Sequence, residues 1–166
     1  MTLTSFPPIV DDRARVLVLG SMPGALSLQK GQYYAHPQNL FWRITGELVG
    51  FEADADYEVR TAALRDSGIA LWDVLHTCER NGSLDSSIVR DSMAANDFHM
   101  LLNAHPDIRR VLFNGAKAEQ TFHRLVQPVL AARDDIVYRR LPSTSPANAS
   151  ITYDVKLQAW RAIVEP

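Results

Sequence analysis

Short runs of consecutive branched apolar residues, each stopped by a turn-forming or polar residue, alternate along this chain with stretches whose apolar positions recur at helical spacing. Arg15–Gly20 (RVLVLG), Ile69–Val74, Arg110–Phe113 and Ile136–Arg140 lack polar alternation and read as strands buried on both faces. Leu40–Val49 carries apolar residues at 40, 41, 44 and 48, one face of a helix. Tyr57–Asp66 reads as a second helix, closed by Ser67-Gly68. Asn96 is placed to cap a third from Asp97 to Asn103. Lys117–Leu130 puts Phe122, Leu125, Val126 and Val129 on one stripe, with Pro128 kinking or ending it. Tyr153–Val164 closes the pattern, with Tyr153, Leu157, Trp160 and Val164 in register. Residues 1–13 read as an irregular lead-in and Ser21–Gln38 as a long loop without helical period. Ser83–Ala95 is polar and gives no clear element.

Strands alternating with helices imply βαβ crossovers, hence an α/β fold whose parallel sheet is covered on both faces. No linker, repeat or low-complexity tract divides residues 1–166, so one domain is expected. Such sheets bind ligands beyond the carboxyl ends of their strands. Those positions are the loops Gly20–Gln38, Asp73–Asp85, Asn114–Lys117 and Pro142–Ser150.

Composition narrows the chemistry. The 166 residues are 46% apolar and 22% charged, which suits a folded globular domain. A net charge of −2 argues against extended non-specific DNA binding but leaves room for a small basic patch. The single cysteine, Cys78, allows neither an internal disulfide nor an all-cysteine zinc or iron–sulfur site. The first 20 residues carry no basic-then-apolar leader and no run approaches a membrane span, so a cytoplasmic protein without membrane association is expected.

The loops hold the unusual residues. Gly20-Ser21-Met22-Pro23-Gly24 is either a connecting turn or a set of backbone N–H groups that hold an anion or a base carbonyl. In Tyr33-Tyr34-Ala35-His36-Pro37-Gln38-Asn39, the tyrosines offer a face for stacking a base. Asn39 either caps the following helix or orients a water or base with its amide. Asp73, at a strand's carboxyl end, either accepts from a base N–H or sugar, or is a cap or an ion-pair partner of Arg80. His76 is either structural or a general acid. Asn114-Gly115 is either a turn or an amide set over a helix start. Pro142-Ser143-Thr144-Ser145-Pro146-Ala147 is either a surface loop or a stiff, hydroxyl-rich contact for phosphates and a wedge for a duplex.

Taken together and in order, G-S-M-P-G after a strand, Y-Y-A-H-P-Q-N-L-F-W, F-N-G and L-P-S-T-S-P-A resemble the uracil-DNA glycosylase superfamily over Val16 to Ala149. The S-M-P-G form, the Y-Y-A-H-P-Q-N element and the Gly82-Ser83-Leu84-Asp85 segment are most similar to its hypoxanthine-DNA (deoxyinosine) branch. The resemblance implies a three-layer α/β/α sandwich around a four-stranded parallel sheet. It implies monofunctional hydrolysis of an N-glycosidic bond in base excision repair, with no metal or other cofactor. Asn39 and Asp73 are then the expected catalytic residues. Ser21, Met22, Pro23, Gly24, Tyr34 and Asn114 are expected to bind the base. Pro142, Ser143, Thr144, Ser145, Pro146 and Ala147 are expected to bind DNA. The expected partner is DNA containing a deaminated base, met by a monomer. Two departures matter. Met22 stands where mismatch-specific relatives have a water-positioning Asn, and Leu141 stands where classical uracil glycosylases have a His. A thioether cannot orient water usefully.

Three other readings remain at this point. One is a uracil or G:U-mismatch glycosylase; another is a non-catalytic nucleotide or nucleic-acid binder on the same fold. The third, a phosphate-ester enzyme using Gly20–Gly24, would need clustered carboxylates, and the sequence offers only isolated Asp residues near strand ends.

Overall fold

Each apolar run becomes a strand, and the first three are buried as expected, but Val137–Leu141 is not: it forms the edge of the sheet, with Val137, Arg139 and Arg140 exposed. In the computed structural model, which describes Met1–Pro166, every residue of Val16–Gly20 and of Ile69–Asp73 is buried. The strands in chain order are β1 (Thr2–Thr4), β2 (Val16–Gly20), β3 (Ile69–Asp73), β4 (Leu75–Glu79), β5 (Ala94–Ala95), β6 (Arg110–Asn114) and β7 (Val137–Leu141). The helices are α1 (Ala25–Lys30), α2 (Phe41–Val49), α3 (Tyr57–Asp66), α4 (Phe98–Ala104), α5 (Ala116–Leu125) and α6 (Tyr153–Trp160). The sheet of four runs β3-β2-β6-β7, all neighbours parallel. Alternate side chains leave its two faces. Val16, Val18, Ile69, Leu71 and Leu112 pack with Phe41, Ile44, Leu64 and Trp160 from α2, α3 and α6. Leu17, Leu19, Val111 and Phe113 pack with Phe98, Leu102, Ala118 and Phe122 from α4 and α5. The result is the expected three-layer α/β/α sandwich.

Several boundaries differ from expectation. Residues 1–13 are not wholly irregular: β1 pairs antiparallel with β4, which pairs with β5 in a second, three-stranded sheet. A strand of three residues has too short an alternation to read, and its pairing is long-range. The Ser21–Gln38 loop contains α1, six residues stopped by Gly31 at φ +66°, too short to show a period. Asp97, not Asn96, caps α4, accepting from Met100 N–H at 3.0 Å. Asn96 instead donates to the Asp73 and Leu75 carbonyls. Helix α5 ends at Leu125, ahead of Pro128, and α6 ends at Trp160 in a 3₁₀ turn, Arg161–Ile163. Polar Ser83–Ala95 holds two 3₁₀ turns, Asp85–Ser87 and Arg90–Ser92, before β5.

Candidate active site

The parallel register brings the strand ends level. Gly20 lies beside Asp73, and Asn114 lies beside Leu141. Loops from these ends enclose a cleft of about 880 Å³, within the size range of small-molecule pockets. Every residue expected at the site lines it: Ser21 to Gly24, Tyr34, Asn39, Asp73, Asn114 and Pro142 to Ala147.

Asp73 lies deep in this cleft, 3% exposed. Its Oδ2 has no hydrogen-bond partner. Burial pushes its pKa up to about 8, the Asp85 charge adds to the rise, and Arg80 opposes it. Asp73 is therefore largely a neutral acid at pH 7, a donor as well as an acceptor. The alternative role as an ion-pair partner of Arg80 is not realised. Arg80 donates instead to the carbonyls of Pro23, at 2.7 Å, and Gly82, at 2.8 Å.

Tyr34 has φ +53°, a backbone region costly for a bulky side chain. Its ring stacks on Phe41 at 4.1 Å between centroids, so only the other face remains for a base. Its hydroxyl forms no hydrogen bond of good geometry, because the Asn114 amide beside it is turned to Thr144. Burial raises the phenol's pKa, and the Asp73 charge adds to this.

In the first loop the polar groups divide into committed and free. The Ser21 hydroxyl donates to Asp85. Burial raises the pKa of Asp85, with the Ser21 hydrogen bond and the Arg80 charge pulling the other way. The Met22 side chain packs with Leu75, Cys78 and Ile88, so its backbone is the polar group it offers. The N–H groups of Ser21, Met22 and Gly24 donate to no protein acceptor. They are available to an acceptor in the cleft.

Asn39 lies one residue ahead of Leu40, the N-cap of α2, and lines the cleft. Its Oδ1 accepts from Phe41 N–H at 3.0 Å, tying down the start of α2. That fixes the amide and leaves its Nδ2 donors free.

Thr144 departs from the expected DNA contact: it is fully buried, and its N–H and hydroxyl are both bonded to the Asn114 amide, at 2.9 and 3.0 Å. Asn114 likewise spends its amide on Thr144 rather than presenting it freely to a base. The pair braces the loop. Leu40 N–H to the Thr144 carbonyl and Trp160 Nε1 to the Pro142 carbonyl brace it further. Ser143 and Ser145 accept from backbone N–H groups of their own loop, and each hydroxyl keeps its proton to donate. His76 is exposed on β4 and does not line the cleft. Ser83, Leu84, Asp85 and Arg140 do, though only the Gly-Ser-Leu-Asp segment gave a signal in sequence. No three His, Cys, Asp or Glu side chains gather as a metal-ligand set. No helix is long and apolar enough to cross a membrane.

The family model of the uracil DNA glycosylase superfamily matches residues 7–164, and the chain belongs to that superfamily. A protein of Methanosarcina barkeri named hypoxanthine DNA glycosylase is 38% identical over 133 residues, 80% of each chain. One of the same name from Methanosarcina acetivorans is 35% identical over 164 residues, 98% of each chain. The solution NMR structure of a protein provisionally described as a uracil DNA glycosylase, also from Methanosarcina acetivorans, superposes with a TM-score of 0.80. It is 32% identical, and the match covers 99% of this chain and all of that one.

Proposed function

We propose that this chain is a monofunctional DNA glycosylase that hydrolyses the N-glycosidic bond of hypoxanthine in deoxyinosine. The observation that carries the reading is the cleft: all the loops expected to handle an extrahelical base converge on it around the neutral, unpartnered Asp73. The relatives named hypoxanthine DNA glycosylase support the choice of base. A uracil substrate is the second reading, favoured by the description of the solved neighbour.

The target nucleotide leaves the duplex at a cost of a few kcal/mol, smallest when it is mispaired. The free face of Tyr34 stacks on the base, and the N–H groups of Ser21, Met22 and Gly24 meet its acceptors. As the C1′–N9 bond breaks, the electron pair stays with the base. Donors aimed at that charge lower the barrier. Neutral Asp73 and the N–H groups of Ser21, Met22 and Gly24 are such donors. Water then adds at C1′, and its proton passes to the departing base anion, which leaves as neutral hypoxanthine. The Met22 side chain has no polar group to hold that water, so the task falls to the Nδ2 of Asn39. Ser143 and Ser145 meet flanking phosphates, and the nearly neutral protein acts as a monomer with few such contacts.

Asn39→Asp separates cap from catalysis: the carboxylate still accepts from Phe41 N–H, but the two Nδ2 donors are gone. It is expected to melt close to wild type and to excise deoxyinosine at least tenfold more slowly in single-turnover assays. Wild-type excision by the folded variant would remove Asn39 from the mechanism.

A further inference from the structure

The segment Arg80–Asp85 is fastened to the Gly20–Gly24 turn at several points. Arg80 donates to the Pro23 carbonyl, the Ser83 hydroxyl accepts from Ala25 N–H at 2.9 Å, and Asp85 accepts from Ser21. Gly82 turns the chain at φ +78°, where a side chain would be strained. This rigid frame holds up Leu84, which is 55% exposed. Eight other large hydrophobic side chains are exposed, Met1, Val59 and Val89 among them, and none of the eight lines the cleft. Leu84 does.

The sheet order sets Leu84 against the other rim. Its segment follows β3 and β4 and is bonded to the loop after β2, whereas the Pro142–Asn148 loop leaves β7 at the opposite edge. That second loop offers Pro146 and Ala147 at its tip, and Ile151, near its far end, is only partly exposed. Neither tip residue fills the space of a base. A flipped nucleotide leaves such a space, and the stack must be kept from closing on it; apolar wedges serve this purpose. A solitary leucine, flanked by Ser83 and by Asp85, whose carboxylate is turned to Ser21, is too small a patch for a protein partner. The nearby hydroxyls of Ser83 and Ser86 suit phosphate oxygens.

We propose that Leu84 is a duplex wedge, entering the base stack beside the flipped nucleotide from the rim opposite the Pro142–Asn148 loop. The inference rests on the glycosylase reading for its substrate, and the test separates the two. The probe is a duplex carrying one 2′-fluorinated, uncleavable deoxyinosine next to 2-aminopurine, whose fluorescence rises when stacking is lost. Wild type is expected to raise the signal at saturation. Leu84→Ala is expected to cut that rise at least threefold, and Leu84→Phe to restore it. With cleavable deoxyinosine, Leu84→Ala should lower the ratio of duplex to single-strand excision at least tenfold. An equal fluorescence rise from Leu84→Ala, or equal losses on both substrates, would overturn the wedge. A Leu84-dependent rise without any abasic product would uphold the wedge and reject the glycosylase reading.

Discussion

At Gly20 the missing side chain makes room for two others. A Cβ there would collide with Asp73 Oδ1 and sit 2.8 Å from the Tyr34 hydroxyl. Gly20 has no positive φ, so close approach, not conformation, requires the glycine. Gly20→Ala is expected to displace Asp73 or Tyr34, costing about 1–3 kcal/mol of stability through overpacking. Deoxyinosine excision should fall at least tenfold, read by thermal melting beside single-turnover rates. Unchanged excision would mean that the Asp73–Tyr34 geometry is not used. In sequence, Gly20 was legible only as the end of a strand and the start of a turn. Asp73 was legible as a carboxylate at a strand end, but its neutrality was not. That depends on burial and on Asp85, which is 12 positions further along the chain and is brought back to the end of β3 by the turn that follows β4.

Among the elements, the strand-end loops owe their shape to side chains that face each other across strands. The Asn114–Thr144 pair joins the end of β6 to the loop after β7, and Thr144 is wholly buried. Asn114→Ala leaves the Thr144 N–H and hydroxyl without partners, at a cost of about 1–3 kcal/mol. Affinity for deoxyinosine duplex is expected to fall at least fivefold because the loop loosens, a change that equilibrium binding beside melting curves would detect. Unaltered affinity with the loss of stability would confine the pair to a purely structural role. The four parallel strands and the helices α2, α3 and α6 were legible because continuous apolar runs and 3.6-residue spacing are local signals, whereas the exposure of β7 follows from its edge position, which is not a local signal. The pairing of Thr2–Thr4 with β4 was not, because three residues carry no pattern and the partner is remote. Thr144 looked like one more surface hydroxyl because sequence does not show which of several Ser and Thr residues turns inward.

For the whole molecule, keeping Asp73 uncharged has a stability consequence. Its pKa is about 8 when folded, against about 3.9 in an unfolded chain. Between those values the folded state holds a proton that the unfolded state has released. Stability therefore falls as pH rises from about 4 to about 8, by up to about 1.4 kcal/mol per unit from this group. The raised pKa of Asp85 acts in the same direction. Asp73→Asn keeps the shape without the ionisation and should flatten this slope in denaturant melts between pH 5 and 8. A slope equal to wild type would mean that Asp73 is ionised in the fold.

The same molecule must use the cleft to release a base from DNA. The direct measurement is abasic-site formation by excess protein on a panel of oligonucleotides, each with one deoxyinosine, deoxyuridine or deoxyxanthosine, scored as alkali-labile strand breaks. The account predicts breaks at deoxyinosine, with slower or no cleavage at deoxyuridine. Absence of breaks at every lesion, or cleavage confined to deoxyuridine, would contradict it.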